Sequence, residues 1–232
     1  MAKKIVLALL VAAMTAGGAF ALDMSAGLGG NFSANFSTFA WNSDGKDEMP
    51  SEYRDAFDYN LIGGGFFAFF DAQYAMVSMG LNFWNERPVN KDEKKDWDEY
   101  KIKVTYTSLN IGVLGKYPID LGGFTLFPMI GFDAQIILSG TESEDGEKEK
   151  IEKLGKDDDS VTVYYSNLWF KFGVGADIPL GEQMYLRPMF LYGFGTLNKG
   201  HKDSQDWIND EKKLGSYVNH GLDIVVALGF KF

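Results

Sequence analysis

Residues 221–232 read GLDIVVALGFKF, and how they are read decides the fold. Leu222, Ile224, Val226, Leu228, Phe230 and Phe232 share one parity, while Gly221, Asp223, Val225, Ala227, Gly229 and Lys231 share the other. The stretch from Met24 to Phe36 repeats the pattern. Met24, Ala26, Leu28, Gly30, Phe32, Ala34 and Phe36 alternate with Ser25, Gly27, Gly29, Asn31, Ser33 and Asn35. A period of two over such a length is a strand with one apolar and one small or polar face. A helical period would scatter the same residues around an axis.

Working outward, β-prone segments alternate with acidic ones. The windows 41–58, 85–99, 139–160 and 198–216 hold 25 of the 32 acidic residues, so the chain between them is left aromatic, apolar and Gly-rich. Eight such segments lie at about 24–40, 58–70, 73–84, 100–116, 124–139, 161–178, 184–197 and 217–232. Their connections alternate in length. A tight turn at Asp71-Ala72, YPIDLGG (117–123) and PLGEQ (179–183) are short, and the four acidic windows are long. An even number of strands with short turns at one end and long loops at the other predicts an all-β fold. It is an eight-stranded antiparallel up-and-down transmembrane barrel with four long extracellular loops and three short periplasmic turns. Segments of 12 to 17 residues exceed the usual soluble strand and suit a tilted membrane strand. The apolar parity slips within segments four and six, which reads as a β-bulge or as a strand that has left the bilayer.

The amino-terminal MAKKIVLALLVAAMTAGGAFA begins with Lys3 and Lys4, continues with an apolar run and ends on Ala19-Phe20-Ala21. That is the pattern of a secretory signal peptide, residues 1–21, cleaved after Ala21. A barrel domain of residues 22–232 follows. Without Lys3 and Lys4 it has 20 basic against 32 acidic residues, a formal charge of −12. So acidic a chain without a basic stretch is a poor ligand for nucleic acid. The chain has no cysteine, which excludes disulfides and thiol chemistry. Beyond the leader no apolar run approaches the roughly 20 residues of a transmembrane helix.

A terminal Phe232 preceded at alternate positions by Phe230 and Leu228 resembles the C-terminal signal of bacterial outer-membrane barrels. Together with the leader and eight strands, the whole mature chain resembles small barrels of the OmpX, OmpW and OmpA-transmembrane type. The resemblance implies delivery to the barrel-assembly machinery and residence in the outer membrane, among its lipid, with the loops at the cell surface.

With even positions toward lipid, Asp133, Lys171, Asp177, Arg187 and Asp223 all face the lumen. Asp133 with Lys171, and Asp177 with Arg187, are expected to form ion pairs inside the barrel, since an isolated buried charge is very costly. Trp41, Tyr59, Trp84, Tyr100, Tyr165, Trp169, Tyr185 and Tyr217 lie near segment ends, where an interfacial aromatic girdle would sit. Parity nonetheless turns Trp84 and Trp169 inward.

Catalytic and metal chemistry finds little support. Lipid A deacylases of similar architecture carry a His-x-Ser pair, but His201 is followed by Lys-Asp and His220 by Gly-Leu. His220 reads as a rim or interior hydrogen-bonding residue. Asp157-Asp158-Asp159 and Glu142-x-Glu144-Asp145 offer hard oxygens for Ca²⁺, yet no twelve-residue ligand loop surrounds them, and a solvated loop is the better reading. No cofactor or metal is expected. Eight strands leave room only for side chains or one small ligand. The leading expectation is therefore a non-enzymatic surface barrel whose loops 41–58, 85–99, 139–160 and 198–216 contact host, partner or envelope components. The alternatives are an OmpW-like narrow conduit or binder for small hydrophobic molecules and, third, a lipid-modifying enzyme.

Overall fold

Eight antiparallel strands close on themselves: β1 (Met24–Trp41), β2 (Tyr59–Ala72), β3 (Ala75–Pro88), β4 (Lys103–Lys116), β5 (Thr125–Glu144), β6 (Asn167–Pro179), β7 (Met184–Gly195) and β8 (Gly215–Lys231). Each pairs with its neighbour in sequence, and β8 returns to pair with β1 from Ser25↔Lys231 to Trp41↔Gly215. The computed structural model describes residues 23–48, 58–89, 91–154, 159–196, 198–208 and 214–232. Residues 1–21, expected to form a signal peptide cleaved at Ala19-Phe20-Ala21, lie outside the described residues.

Alternation sets the two faces. On β8, Ile224, Val226, Leu228 and Phe230 are exposed on the outer wall while Val225, Ala227 and Asp223 are buried inside. Phe32, Phe66, Phe83, Phe132, Phe170, Phe190 and Phe194 continue the apolar band around the barrel. Even positions do not point outward everywhere, however. On β3 and β4 the odd residues, Met79, Phe83 and Val113 among them, are exposed, and Met76, Trp84, Tyr106 and Leu114 are buried. Each connection resets numerical parity according to its length, so the face must be read strand by strand.

Both parity slips have a local cause. In segment four no bulge occurs. Val104 and Tyr106 are apolar residues turned inward, packed with Trp84, Ile137 and Val161 where the barrel emerges from the bilayer. The β4–β5 ladder does shift, between Thr107↔Ser139 and Ser108↔Ile137, which leaves Leu138 of β5 as the extra residue. In segment six, residues 161–165 are a short helix, α3, and the strand begins only at Asn167. The other described helices, α1 (Ser43–Glu48), α2 (Lys91–Glu99) and α4 (Lys199–Ile208), lie within the long connections.

The first part of the window 139–160 is a hairpin rather than a loop. Past the bulge, β5 runs on to Glu144, turns at Asp145-Gly146 and returns as Glu147–Ile151. Both turn residues have positive φ, 48° and 92°, as a two-residue type I′ hairpin demands. At the opposite end of the barrel the short connections hold Gln73 at φ 52° and Gly122 at φ 81°.

Ile224 is half-exposed on the outer wall. Arginine there should lower the unfolding free energy by about 2–4 kcal/mol, against roughly 0–1 for Thr38→Arg near the outer rim. Urea unfolding in lipid vesicles distinguishes the two, and equal costs would contradict a lipid-facing wall.

Candidate functional site: the filled lumen and its outer mouth

The inward faces form polar layers stacked along the barrel axis. Nearest the short turns, Arg187 on β7 donates through Nε and Nη2 to the Asp177 carboxylate on β6 at 2.6 and 2.8 Å. Its Nη1 donates to Asp71 Oδ2 on β2 at 2.5 Å. Lys116, at the end of β4, reaches the same Asp71 oxygen at 2.8 Å. The guanidinium also lies 4.9 to 5.1 Å from the ring centroids of Phe69, Phe127 and Tyr185. Two cations, two carboxylates and three aromatic rings therefore neutralise and seal this end. The Tyr185 ring fits because Gly229 faces it on β8, where a Cβ would collide with the ring.

The next layer centres on Lys171 of β6. Its Nζ lies 3.2 Å from Asp133 Oδ2 on β5 and 2.8 Å from Asp223 Oδ2 on β8. Asn110 donates to Asp133 at 3.0 Å and Ser33 donates to Asp223 at 2.5 Å, so both carboxylates have further partners. Between the layers is a chamber of about 60 Å³ lined by Asn31, Ser78, Asn82, Met76 and Leu114 among others. It is large enough for ordered water only. Above it, Trp84 donates to Ser108 at 2.8 Å and Trp169 donates to Gln135 at 2.8 Å.

The five charges assigned to the interior by sequence lie there, Asp177 with Arg187 in one layer and Asp133 and Asp223 with Lys171 in the other. Asp71 and Lys116 complete the first layer, and sequence reading missed both. Asp71 reads as part of a turn and Lys116 as the end of a segment. The parity of their own strands would have turned each inward. Trp84 and Trp169 are buried inside the barrel, as expected, but the rest of the aromatic girdle needs correcting, since Tyr185 and Tyr217 are buried there too. Tyr59 bonds within the outer mouth and Tyr165 belongs to α3. Proximity to a strand end says nothing about face, and the indole N–H groups of Trp84 and Trp169 and the hydroxyl of Tyr185 find their partners inside.

At the outer mouth, β6 and β7 stop at Asn167 and Gly195 while β5 and β8 run higher, and α3 and α4 fill the resulting notch. His201 of α4 is 2 % exposed. Its Nε2 is 3.0 Å from Ser37 Oγ and 2.8 Å from Tyr59 OH, and its ring packs edge-on against Tyr217. A Ser–His contact suggests a nucleophile and its base. Catalysis, though, needs a third group to orient the imidazole and an approach for substrate. Here Nδ1 is buried without a hydrogen-bond partner, and Ser37 is itself buried. The arrangement is a plug. His220 is neither rim nor interior: it faces outward, accepts from or donates to Tyr192 OH at 3.1 Å through Nδ1, and stacks on Phe36. Among the described residues no cluster of three or more acidic or histidine side chains is placed to hold a metal ion.

Burial alone pushes the His201 imidazole down to about 4. The native plug thus holds it neutral, while a detached α4 takes up a proton below about pH 6.5. The contribution of this residue is complete above pH 6.5, falls as pH drops from 6.5 to 4, and is level below that. It amounts to about 3 kcal/mol over that interval. Amide protection factors in 199–208, with the intrinsic pH dependence of exchange divided out, should fall as pH drops across the window in the wild type and stay flat in His201→Gln.

A closed antiparallel barrel clad in apolar side chains, with its polar groups inside, is the architecture of an integral outer-membrane protein. No family model matches the chain, and no curated protein sequence matches it either. Solved structures similar to it include Neisserial surface protein A, at 8 % identity over 88 % of this chain and 97 % of that one, with a TM-score of 0.42. Ail, the attachment invasion locus protein of Yersinia pestis, has 9 % identity over 91 % of this chain and all of its own, with a TM-score of 0.38. A major outer membrane protein of Thermus thermophilus has 13 % identity over 88 % of this chain and 99 % of its own, with a TM-score of 0.48.

Proposed function

We propose that the chain is a non-enzymatic surface barrel whose acidic outer portion contacts cationic partners. The observation that carries this reading is the filled lumen. The Arg187 layer closes one end, the plug around His201 closes the other, and the chamber between them has room for little more than water. A conduit for small hydrophobic molecules would require both layers to part, so the narrow-channel reading is set aside. What remains available is the outer surface. There Glu142 pairs across the hairpin with Glu149, and Glu144 with Glu147. Directly opposed like charges weaken a sheet, so this carboxylate face exists at the expense of the hairpin's own stability. Leu228, Phe230 and Phe232, all exposed on the outer wall, are the residues we assign to recognition by the barrel-assembly machinery.

The test is retention of a basic probe protein, cytochrome c, by the full chain in zwitterionic nanodiscs at low salt. Wild type should retain it, and retention should fall steeply with ionic strength. The variant with Glu142, Glu144, Glu147 and Glu149 changed to Gln should lose most of it. Equal retention by the two proteins would sink the loop-contact reading, and stepwise conductance in planar bilayers would restore the conduit.

A further inference from the structure

The barrel wall sorts charge by side. Along the paired residues of the eight strands and the hairpin, the carboxylates point inward or toward the mouth: Asp71, Asp133, Asp177 and Asp223 in the lumen, Glu86 against the Tyr106 hydroxyl, and Glu142, Glu144, Glu147 and Glu149 on one face of the hairpin. The outward positions carry only cations, all in one sector. On β4 the outward row climbs from Val113, Ile111 and Leu109 to Thr107, Thr105 and then Lys103, which is exposed. On β5 it climbs from Ile136 and Leu138 to Ser139, Thr141 and Ser143. The returning hairpin strand sets Lys150 beside Thr141 and Lys148 beside Ser143. Arg87 on β3 is exposed, two residues above Asn85, which pairs with Thr105.

Two rows of level residues therefore cross this sector, one above the other. One is Lys103, Ser143, Lys148 and the other Thr105, Thr141, Lys150. Strands about 4.8 Å apart place Lys103 and Lys148 roughly 10 Å from each other with a hydroxyl between them. Below them is a step of threonine and serine, and below that the lipid-facing band. Two carboxylates border the patch: Glu152 lies 3.8 Å from Lys150, and Asp145 at the hairpin turn lies 3.8 Å from Lys101, with all four side chains well exposed. Such loose and solvated pairs are worth little, and they leave the four cations of the patch in excess over the carboxylates at its border. The chain carries a net charge of −10, so four cations gathered on one outward face are not an average of its composition.

We propose that Arg87, Lys103, Lys148 and Lys150 form a docking surface for the phosphorylated headgroups of the outer-leaflet glycolipid. Position and sign select this occupant. The patch lies on the lipid side of the wall, directly above the apolar band. A lipid whose acyl chains lie against Leu109, Ile111 and Leu138 presents its phosphates at the level of the lysines. The long lysine stems extend along apolar surface while the ammonium groups stay at the headgroup layer. The hydroxyls of Thr105, Thr141 and Ser143 supply hydrogen bonds to the same oxygens. The hairpin then serves two ends: its outward face grips lipid, and its inward face carries the carboxylates assigned above to partner contact. The lipid assignment rests on its own residues and stands whether or not the partner reading holds.

The test is a native mass-spectrometry titration of the detergent-solubilised full chain with bis-phosphorylated lipid A and with its dephosphorylated form. The phosphorylated lipid should bind the wild type. In Lys103→Gln/Lys148→Gln/Lys150→Gln, affinity should drop by roughly a hundredfold, about fivefold for each cation near a charged surface. These side chains are exposed and outward, and a retained heat-modifiable gel shift verifies that the variant is folded. The four-Glu variant should bind lipid A as well as the wild type does. The proposal is overturned if the triple variant binds within twofold of wild type or the dephosphorylated lipid binds equally well. It is also overturned if sucrose octasulfate displaces the lipid at equal anion concentration, or if the four-Glu variant loses as much affinity as the lysine variant.

Discussion

Arg187→Met should lower the unfolding free energy of the barrel by about 3–5 kcal/mol. Arg187 is 1 % exposed and engages Asp71, which is as enclosed, and Asp177, whose side chain is 14 % exposed. Removing it leaves Lys116 alone against two carboxylates, and Lys116 touches only Asp71. Asp177 then has no cation, and an uncompensated charge in this low-dielectric layer is what makes the loss severe. The three rings around the guanidinium lose their central contact as well. The midpoint and slope of urea unfolding in lipid vesicles measure the effect. Adding Asp177→Asn to Arg187→Met should recover much of the loss, because the stranded charge goes with it. A single variant within about 1 kcal/mol of wild type would mean that water reaches this layer freely.

Lys171→Met is the second case, also about 3–5 kcal/mol. Its ammonium is the shared partner of Asp133 and Asp223, which approach from β5 and β8 on either side of β6 and β7. With the cation gone, two like charges face each other across the lumen, each retaining only one neutral donor, Asn110 or Ser33. The triple change Lys171→Met/Asp133→Asn/Asp223→Asn removes all three charges and should unfold close to wild type, since replacing a whole buried ionic group is often neutral. If the triple variant is as unstable as the single one, the layer is held by shape rather than by charge. Substitutions in the two layers should add, because no side chain is shared between them.

Much of this architecture is legible in the chain because alternation is a direct imprint of a wall with lipid on one side. Ile224, Val226 and Leu228 reveal their face without any neighbour being known. The same rule brings Asp133 and Lys171 together on adjacent strands. It fails where one numerical parity is carried across the whole chain. The two-residue connection at 73–74 inverts the outward numbering on β3, and that inversion hides Lys116 on β4. The hairpin beyond β5 has its own local signature, since Asp145-Gly146 between alternating Glu and Lys residues is a strong two-residue turn signal. The density of charge around it masks that signal and makes the window look like a solvated loop. The meeting of Ser37, Tyr59 and His201 is not legible at all. It depends on β6 and β7 ending low so that α4 can drop into the mouth, and no short-range pattern encodes that height difference.

The seam between β1 and β8 has a consequence for how the chain comes together. It is paired along the whole of both strands, and its lowest rung joins Ser25 to Lys231 at opposite extremes of the described chain. Every other seam joins neighbours in sequence and can zip locally once its turn has formed. This one cannot start until β8 has been made and cannot finish without the final residues, because its partners, from Trp41↔Gly215 to Ser25↔Lys231, are separated by most of the polypeptide. A nascent or truncated chain is consequently an open sheet with two bare edges, each prone to pair with another molecule. Closure is thus a late, single event, and a chain missing its last few residues should be lost to aggregation before any loss of lumen packing is felt.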